Sequence, residues 1–366
     1  MPSKSEPTPT LQPALPIRLA RTTLALLAFA GGCGLIASLM GSGIPAGDVV
    51  RSIWAHLRGA PAPLDAVEEW ILWQIRIPRV ALGAVVGASL SVAGASLQGL
   101  LMNPLADPYL VGVSAGAAVG ASVALLLGWS EAVGGLGAAL IAFAVALVTI
   151  AIVYRLSLRR GRVRLEAFLL AGVVVGSFMW ALVTLVMSLA KPGDLQALLY
   201  WLMGHLDAPA SRWPMITVTA IVAASGIAIY AFARDLNLLA LGEEPARQLG
   251  VDVEALKKIV IALTSLITAA AVSLSGIIAF VGLMVPHIVR RLVGADHRVL
   301  LPASALFGAA FLMLADGCAR TALPWLTGVF SAHRVLHDEI PIGVVTSLLG
   351  APFFCYLLWA RAERLS

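Results

Sequence analysis

Six stretches of this chain, residues 80–106, 108–130, 132–154, 167–190, 213–233 and 259–286, contain no Asp, Glu, Lys or Arg. Each is long enough to cross a bilayer core, which takes roughly 20 apolar residues in a helix. The charges gather in the intervals between, notably 155–164, 234–258 and 290–298. This pattern predicts an all-α membrane protein. Another apolar stretch follows Arg18 and Arg21 and ends near Met40. It is too long for a signal sequence and many spans come after it, so a retained first helix is expected. Residues 1–17, rich in Pro, Ser and Thr, read as a disordered cytoplasmic tail, which leaves 18–366 as one transmembrane domain.

The number of spans turns on residues 259–289, which fit either one long helix or two segments broken near Gly276 and Gly282. Ten spans with the N-terminus inside put 17 Lys and Arg on the inner side and 8 on the outer, whereas nine spans give 14 against 11. Cytoplasmic loops carry the excess of basic residues, so ten is the better reading, with both termini cytoplasmic.

Laid on itself with an offset of 182, the chain matches Ser91, Gly94, Leu101, Met102, Pro104, Leu110, Val111 and Gly112 with Ser273, Gly276, Leu283, Met284, Pro286, Leu292, Val293 and Gly294. Chance would give roughly two identities over such a window. The copies start five spans apart and so run in opposite directions. An inverted repeat, spans 2–5 and 7–10, is the arrangement transporters use to build two-faced access. Within it, Asn103-Pro104, Pro108 and Pro286-His287 are expected to interrupt helical hydrogen bonding, which membranes tolerate only where protein or water surrounds the freed backbone. Small-residue ladders such as Gly83/Gly87, Gly112/Gly116/Gly120 and Gly172/Gly176 suit close helix packing.

Composition narrows the function by exclusion. At 60% hydrophobic and 12% charged over 366 residues, with a mean hydropathy of +0.92, no soluble class fits. The net charge of +5 belongs to loops beside anionic lipid, not to nucleic acid. Cys33, Cys318 and Cys355 lie in or beside apolar segments without metal-ligand spacing. No Gly-Lys pair occurs, so there is no phosphate-cradling loop, and no HExxH or paired Asp suggests an intramembrane enzyme. Asp316 is the one obvious carboxylate for an ion-coupled carrier.

The longest inner connection, 234–258, is built to hold a small amphipathic helix. Glu243 and Glu244 suit its positive end, Pro245 its first turn and Gly250 its C-terminal cap, while Ala246, Leu249 and Val251 can offer an apolar patch to a partner's groove.

Six motifs occur in order: Gln74-Ile75-Arg76-Ile77-Pro78-Arg79, Asn103-Pro104-Leu105-Ala106-Asp107-Pro108, Tyr200 to Gly204, Leu241 to Gly250, Val285-Pro286-His287, and Ile340 to Gly343 with Gly350 to Pro352. Together, over about residues 20–360, the chain resembles the iron-chelate, haem and vitamin B12 permeases of type II ABC importers. The resemblance implies a transport subunit that is not itself an enzyme and binds no cofactor. It would pair with a second copy in the bacterial inner membrane, bear two ATPase subunits that hold ATP and Mg, and receive cargo from a periplasmic binding protein. It maps a coupling helix onto Gly242, Glu243, Glu244, Pro245, Ala246, Arg247, Leu249 and Gly250, and binding-protein docking onto Arg76, Arg79 and Arg320. Asn103 and Leu105 fall where related permeases narrow the exit path. A second constriction of small hydroxyl residues is here Leu165-Glu166, a departure from the family, and the link from Pro324 to Glu339 is longer, with His333 and His337 spaced for a metal or haem iron. Iron chelates, haem or siderophore, rank above vitamin B12 as the expected cargo.

Overall fold

The structure, a computed structural model, describes residues 15–40, 44–61, 63–129, 132, 136–207, 209, 211–330 and 339–362. Helix α1 is Leu15–Leu39, α2 is Ala46–Arg58, and α3, Ala66–Trp70, runs through a π-helical turn, Ile71–Arg76, into α4, Ile77–Leu100. A 3-10 turn, Pro108–Val111, precedes α5, Val113–Leu126; α6, Gly137–Ser157, is joined to α7, Leu165–Leu189, by a two-stranded hairpin, β1 (Leu158–Arg159) with β2 (Arg162–Val163). Then come α8 (Pro192–Leu202), α9 (Arg212–Ala231), α10 (Ala233–Leu239), α11 (Glu243–Gln248), α12 (Val253–Ser275), α13 (Val281–Val293), α14 (His297–Phe330) and α15 (Ile342–Ala362). Helix α1 therefore begins at Leu15, inside the expected tail, and residues 1–14 lie outside the described residues.

Among the described residues eight helices are long and apolar enough to cross a membrane, and the short α5 and α13 complete the ten expected segments. The ambiguous stretch is split: α12 ends at Ser275, Gly276 turns the chain at φ 63°, where a residue without Cβ is favoured, and α13 begins at Val281. The break lies upstream of Pro286, which sits inside α13 instead of interrupting it. Proline lacks the N–H that would bond the Gly282 carbonyl one turn back. The Gln98 side chain donates to that carbonyl at 3.4 Å and to the Leu283 carbonyl at 3.3 Å.

Helix α4 is the centre of the bundle, buried almost all round from Leu82 to Leu100 and packed by α1, α9, α12, α13 and α14. Glycine makes this possible. A Cβ on Gly87 would overlap the Gly308 carbonyl of α14, and one on Gly94 would overlap the Gly282 carbonyl of α13. Likewise Gly172 of α7 meets the Leu110 carbonyl, and Gly116 of α5 meets Thr149 of α6.

Helices α4 and α12 are antiparallel. Arg79, in the first turn of α4, lies 3.9 Å from Asp207, while His205 donates its backbone N–H to Ser275 at the last turn of α12. At the other end of α4, Gly99 packs on the ring of His297, beside α10. The order long, short, long, long recurs in both halves, α4–α7 and α12–α15, as an inverted repeat. The residue register of 182 does not carry over. Gly94 falls inside α4 whereas Gly276 ends α12, and Gly112 opens α5 whereas Gly294 closes α13. Small residues recur in both halves because close packing demands them, and their local roles differ.

Both short helices start near mid-height. Gly282 at the head of α13 lies against Leu90 and Gly94, and Gly112 at the head of α5 lies between Gly172 and Thr149. Replacing Gly94 with Val is expected to lower stability by about 3 kcal/mol through overpacking against backbone. Gly226→Ala in α9, where the added methyl meets nothing within 4 Å, is expected to change it by less than about 1 kcal/mol. Unfolding of the two purified variants in one detergent would check the contrast.

Candidate functional site

Three places along the bundle carry the polar chemistry. At one end, an ion cluster joins α1, α4, α14 and the start of α15. Asp316, 2% exposed at its side chain, accepts from Arg79 Nη2 at 2.9 Å and lies 3.1 Å from Arg320 Nε. Arg79 also meets Glu339 at 2.7 Å. Arg320 donates to the carbonyls of Ala37 (2.7 Å) and Met40 (3.1 Å), and Arg76 donates to Met40 (3.1 Å), so both guanidiniums satisfy carbonyls at the end of α1 that the helix leaves open. The three expected docking arginines are thus brought together, but Arg320 points inward and is 8% exposed. The outer edge of the cluster is formed by Arg79 with the more exposed Glu339 and Asp207. Asp316 is held between two cations, which leaves it unsuited to binding a coupling ion.

At mid-height the two breaks in the repeat meet. The Tyr109 hydroxyl donates to the Ile278 carbonyl at 3.0 Å and accepts from the Ile278 N–H at 3.2 Å. Asp107 caps the 3-10 turn by accepting from Tyr109 N at 2.7 Å. Asn103 and Leu105, the expected pathway residues, sit in the same connection. Asn103 is exposed and its side chain accepts from Leu105 N at 3.0 Å, closing a local Asx turn; Leu105 is half-buried.

At the opposite end of the bundle, residues 242–250 form the expected short helix. The Val251 N–H reaches the Ala246 carbonyl and the Gly250 N–H the Arg247 carbonyl, each at 3.0 Å, with Gly250 at φ 90°: a Schellman cap. The expected apolar patch is divided. Ala246 and Val251 turn into the bundle and are buried, while Leu249 and Leu241 stay exposed, flanked by Glu244 and Gln248. Lys257, a buried cation that the linear sequence did not single out, lies 2.7 Å from Glu243 and 3.4 Å from Glu254.

An apolar groove of about 540 Å³ opens between α8, the 277–279 segment and α15, lined by residues including Leu202, Met203, Ile277 and Leu348. Helix α7 exposes Leu170, Val174 and Phe178. His333 and His337 lie outside the described residues, and among the described residues no group of three His, Cys, Asp or Glu could hold a metal ion.

Ten helical segments and an inverted repeat with interlocked breaks define a multi-pass membrane permease. The chain belongs to the FecCD transport family, whose model matches residues 24–360, and is of the ABC importer permease type. It is 45% identical over 295 residues to the cobalamin import system permease protein BtuC of Halobacterium salinarum, covering 80% of this chain and 74% of that one. It is 41% identical over 319 residues, 86% of each chain, to an uncharacterised ABC transporter permease, YvrB, of Bacillus subtilis. Against the vitamin B12 import system permease protein BtuC of Salmonella typhimurium it is 41% identical over 302 residues, 82% of this chain and 87% of that one. A solved chain described as of the metal-chelate type of ABC transporter, in an inward-facing conformation, superposes with a TM-score of 0.75 at 28% identity, covering 93% of this chain and 99% of that one.

One expectation follows from the polar clusters. Asp316→Ala takes the shared carboxylate from buried Arg320 and part-buried Arg79 and is expected to cost about 3–5 kcal/mol, whereas Glu339→Ala, at a half-exposed pair, should cost less than about 1 kcal/mol, as read from thermal unfolding.

Proposed function

We propose that this chain is the membrane-spanning subunit of an ATP-driven importer and that its cargo is a corrinoid of the vitamin B12 type. Two copies would sit with α7 and α15 facing one another, so that the apolar groove beside α8 lines a weakly binding path for a large chelate. ATP would be hydrolysed by two separate subunits on the face carrying residues 242–250, which is the cytoplasmic side of the bacterial inner membrane by its basic excess. A periplasmic binding protein would meet the opposite face, at the outer edge formed by Arg76, Arg79, Glu339 and Asp207. Arginine there suits carboxylates of a partner, with Arg320 acting from beneath by holding Asp316 and α1 in place.

The observation that carries the cargo assignment is the 45% identity to a cobalamin permease, supported by the 41% identity to a vitamin B12 permease over most of both chains. A ferric chelate is the second reading, favoured by the structural likeness to a transporter described as of the metal-chelate type. The haem preference rested on His333 and His337 and has no further support.

Proteoliposomes holding this chain with its own ATPase and binding protein should take up cyanocobalamin when ATP is supplied to the ATPase side, and neither haem nor a ferric siderophore. Selective uptake of an iron chelate would replace the cargo. Uptake by this chain alone, driven by an ion gradient, would overturn the importer reading.

A further inference from the structure

The least expected charge in the molecule is Lys257. It lies in the second turn of α12, is 3% exposed, and is flanked by the buried apolar side chains of Leu256, Val253 and Val260. An ammonium taken out of water costs several kcal/mol unless other groups replace its hydration. Here three groups from three elements do so: Glu243 Oε1 of α11 at 2.7 Å, Glu254 Oε1 of α12 at 3.4 Å, and the Val163 carbonyl of β2 at 3.5 Å. The arrangement closes on itself. Glu254 Oε2 accepts from the Val163 N–H at 3.0 Å, so one strand residue is held by both its backbone groups. Arg247 reaches Glu243 and Glu254, each at 3.5 Å, and Glu244 at 3.9 Å.

We infer that Lys257 is the positioning residue that couples α11 to the transport path, by locking α11, the first turns of α12 and the hairpin between α6 and α7 into one body. This rests on the importer reading, in which the ATPases act at α11, and it goes beyond that reading by naming where the displacement goes. A push on α11 without this lock would move a six-residue helix tethered by its two ends. With the lock, it moves α12 of one repeat half and the α6–α7 corner of the other together. That is the rigid link a two-state rocking motion requires. Apolar packing could hold α11 in place equally well, as Ala246 already does. Apolar packing reaches the hairpin too, since Val163 shares a buried cluster with Ala246, Val253 and Leu256, and the charge network adds directional bonds to both backbone groups of Val163.

The test uses the assembled transporter, with ATP hydrolysis and cyanocobalamin uptake measured on the same proteoliposomes. Lys257→Met keeps the length of the buried stem and removes the charge. It should assemble with the ATPase and hydrolyse ATP at the basal rate, while uptake per ATP falls by about tenfold. Lys257→Arg, which keeps a cation among the same acceptors, should recover most of that loss. In the permease alone, Lys257→Met should speed hydrogen exchange at residues 159–163 as well as 243–248. Wild-type uptake per ATP in Lys257→Met would overturn the inference, and so would failure of that variant to assemble, which would make Lys257 a folding residue. If wild-type vesicles take up a ferric chelate in place of cyanocobalamin, the cargo assignment fails and not this inference, which is then read from uptake of that chelate.

Discussion

Hydrocarbon offers no partner to a peptide group, and this fold contains two places where the helix is interrupted inside the bundle. Everything else is arranged around satisfying them. The interruptions at 101–112 and 276–280 are closed against one another, through a tyrosine hydroxyl that serves both the donor and the acceptor of Ile278. Gln98 takes the carbonyl that Pro286 leaves without a donor. Because these bonds run from the connection after the first helix of one repeat half to the matching connection of the other, the halves must interlock at mid-height, and α4 must pass close enough for Gly94 to touch Gly282.

The two ends of the bundle solve a different problem, that of keeping charge where water is thin. At the arginine end a nearly buried aspartate is shared by two cations, and the spare donors of one of them, Arg320, together with Arg76, finish the last carbonyls of α1. At the opposite end a buried lysine is shared by two carboxylates and a strand carbonyl. Each cluster joins three or more elements, and in each the innermost charge would be unaffordable alone. The polar groups that define direction across the membrane are thus also the ones that fix how elements meet.

Much of this was legible in the sequence. Charge-free runs gave the spans, and the tally of basic residues correctly split 259–289 into two. That statistic works because each loop contributes independently of packing. The short helix at 243–248 and its Gly250 cap were readable because capping is local. What the sequence concealed depends on contact at distance. Arg79 and Asp316 are 237 residues apart, so nothing in the linear order says that Arg320 turns inward to help hold that aspartate. Lys257 looks like an ordinary loop charge until the Val163 hairpin, 94 residues away, folds over it. The offset of 182 found real symmetry in the wrong register, since glycines recur wherever helices touch, whether at mid-helix as Gly94 or at a helix end as Gly276. Pro286 misled for a related reason: its cost is met by a side chain from α4.

The contacts of Gly87 with Gly308 and of Gly94 with Gly282 have a mechanical meaning. Backbone lies on backbone there, with no side chain between to deform and no water to squeeze out. Sliding α4 lengthwise would drive each carbonyl into the next residue that bears a Cβ, so translation along this seam is blocked. Turning about it disturbs far less. The seam has the geometry of an axle: a small tilt about it would bring helix ends closer on one side of the membrane as it parts them on the other.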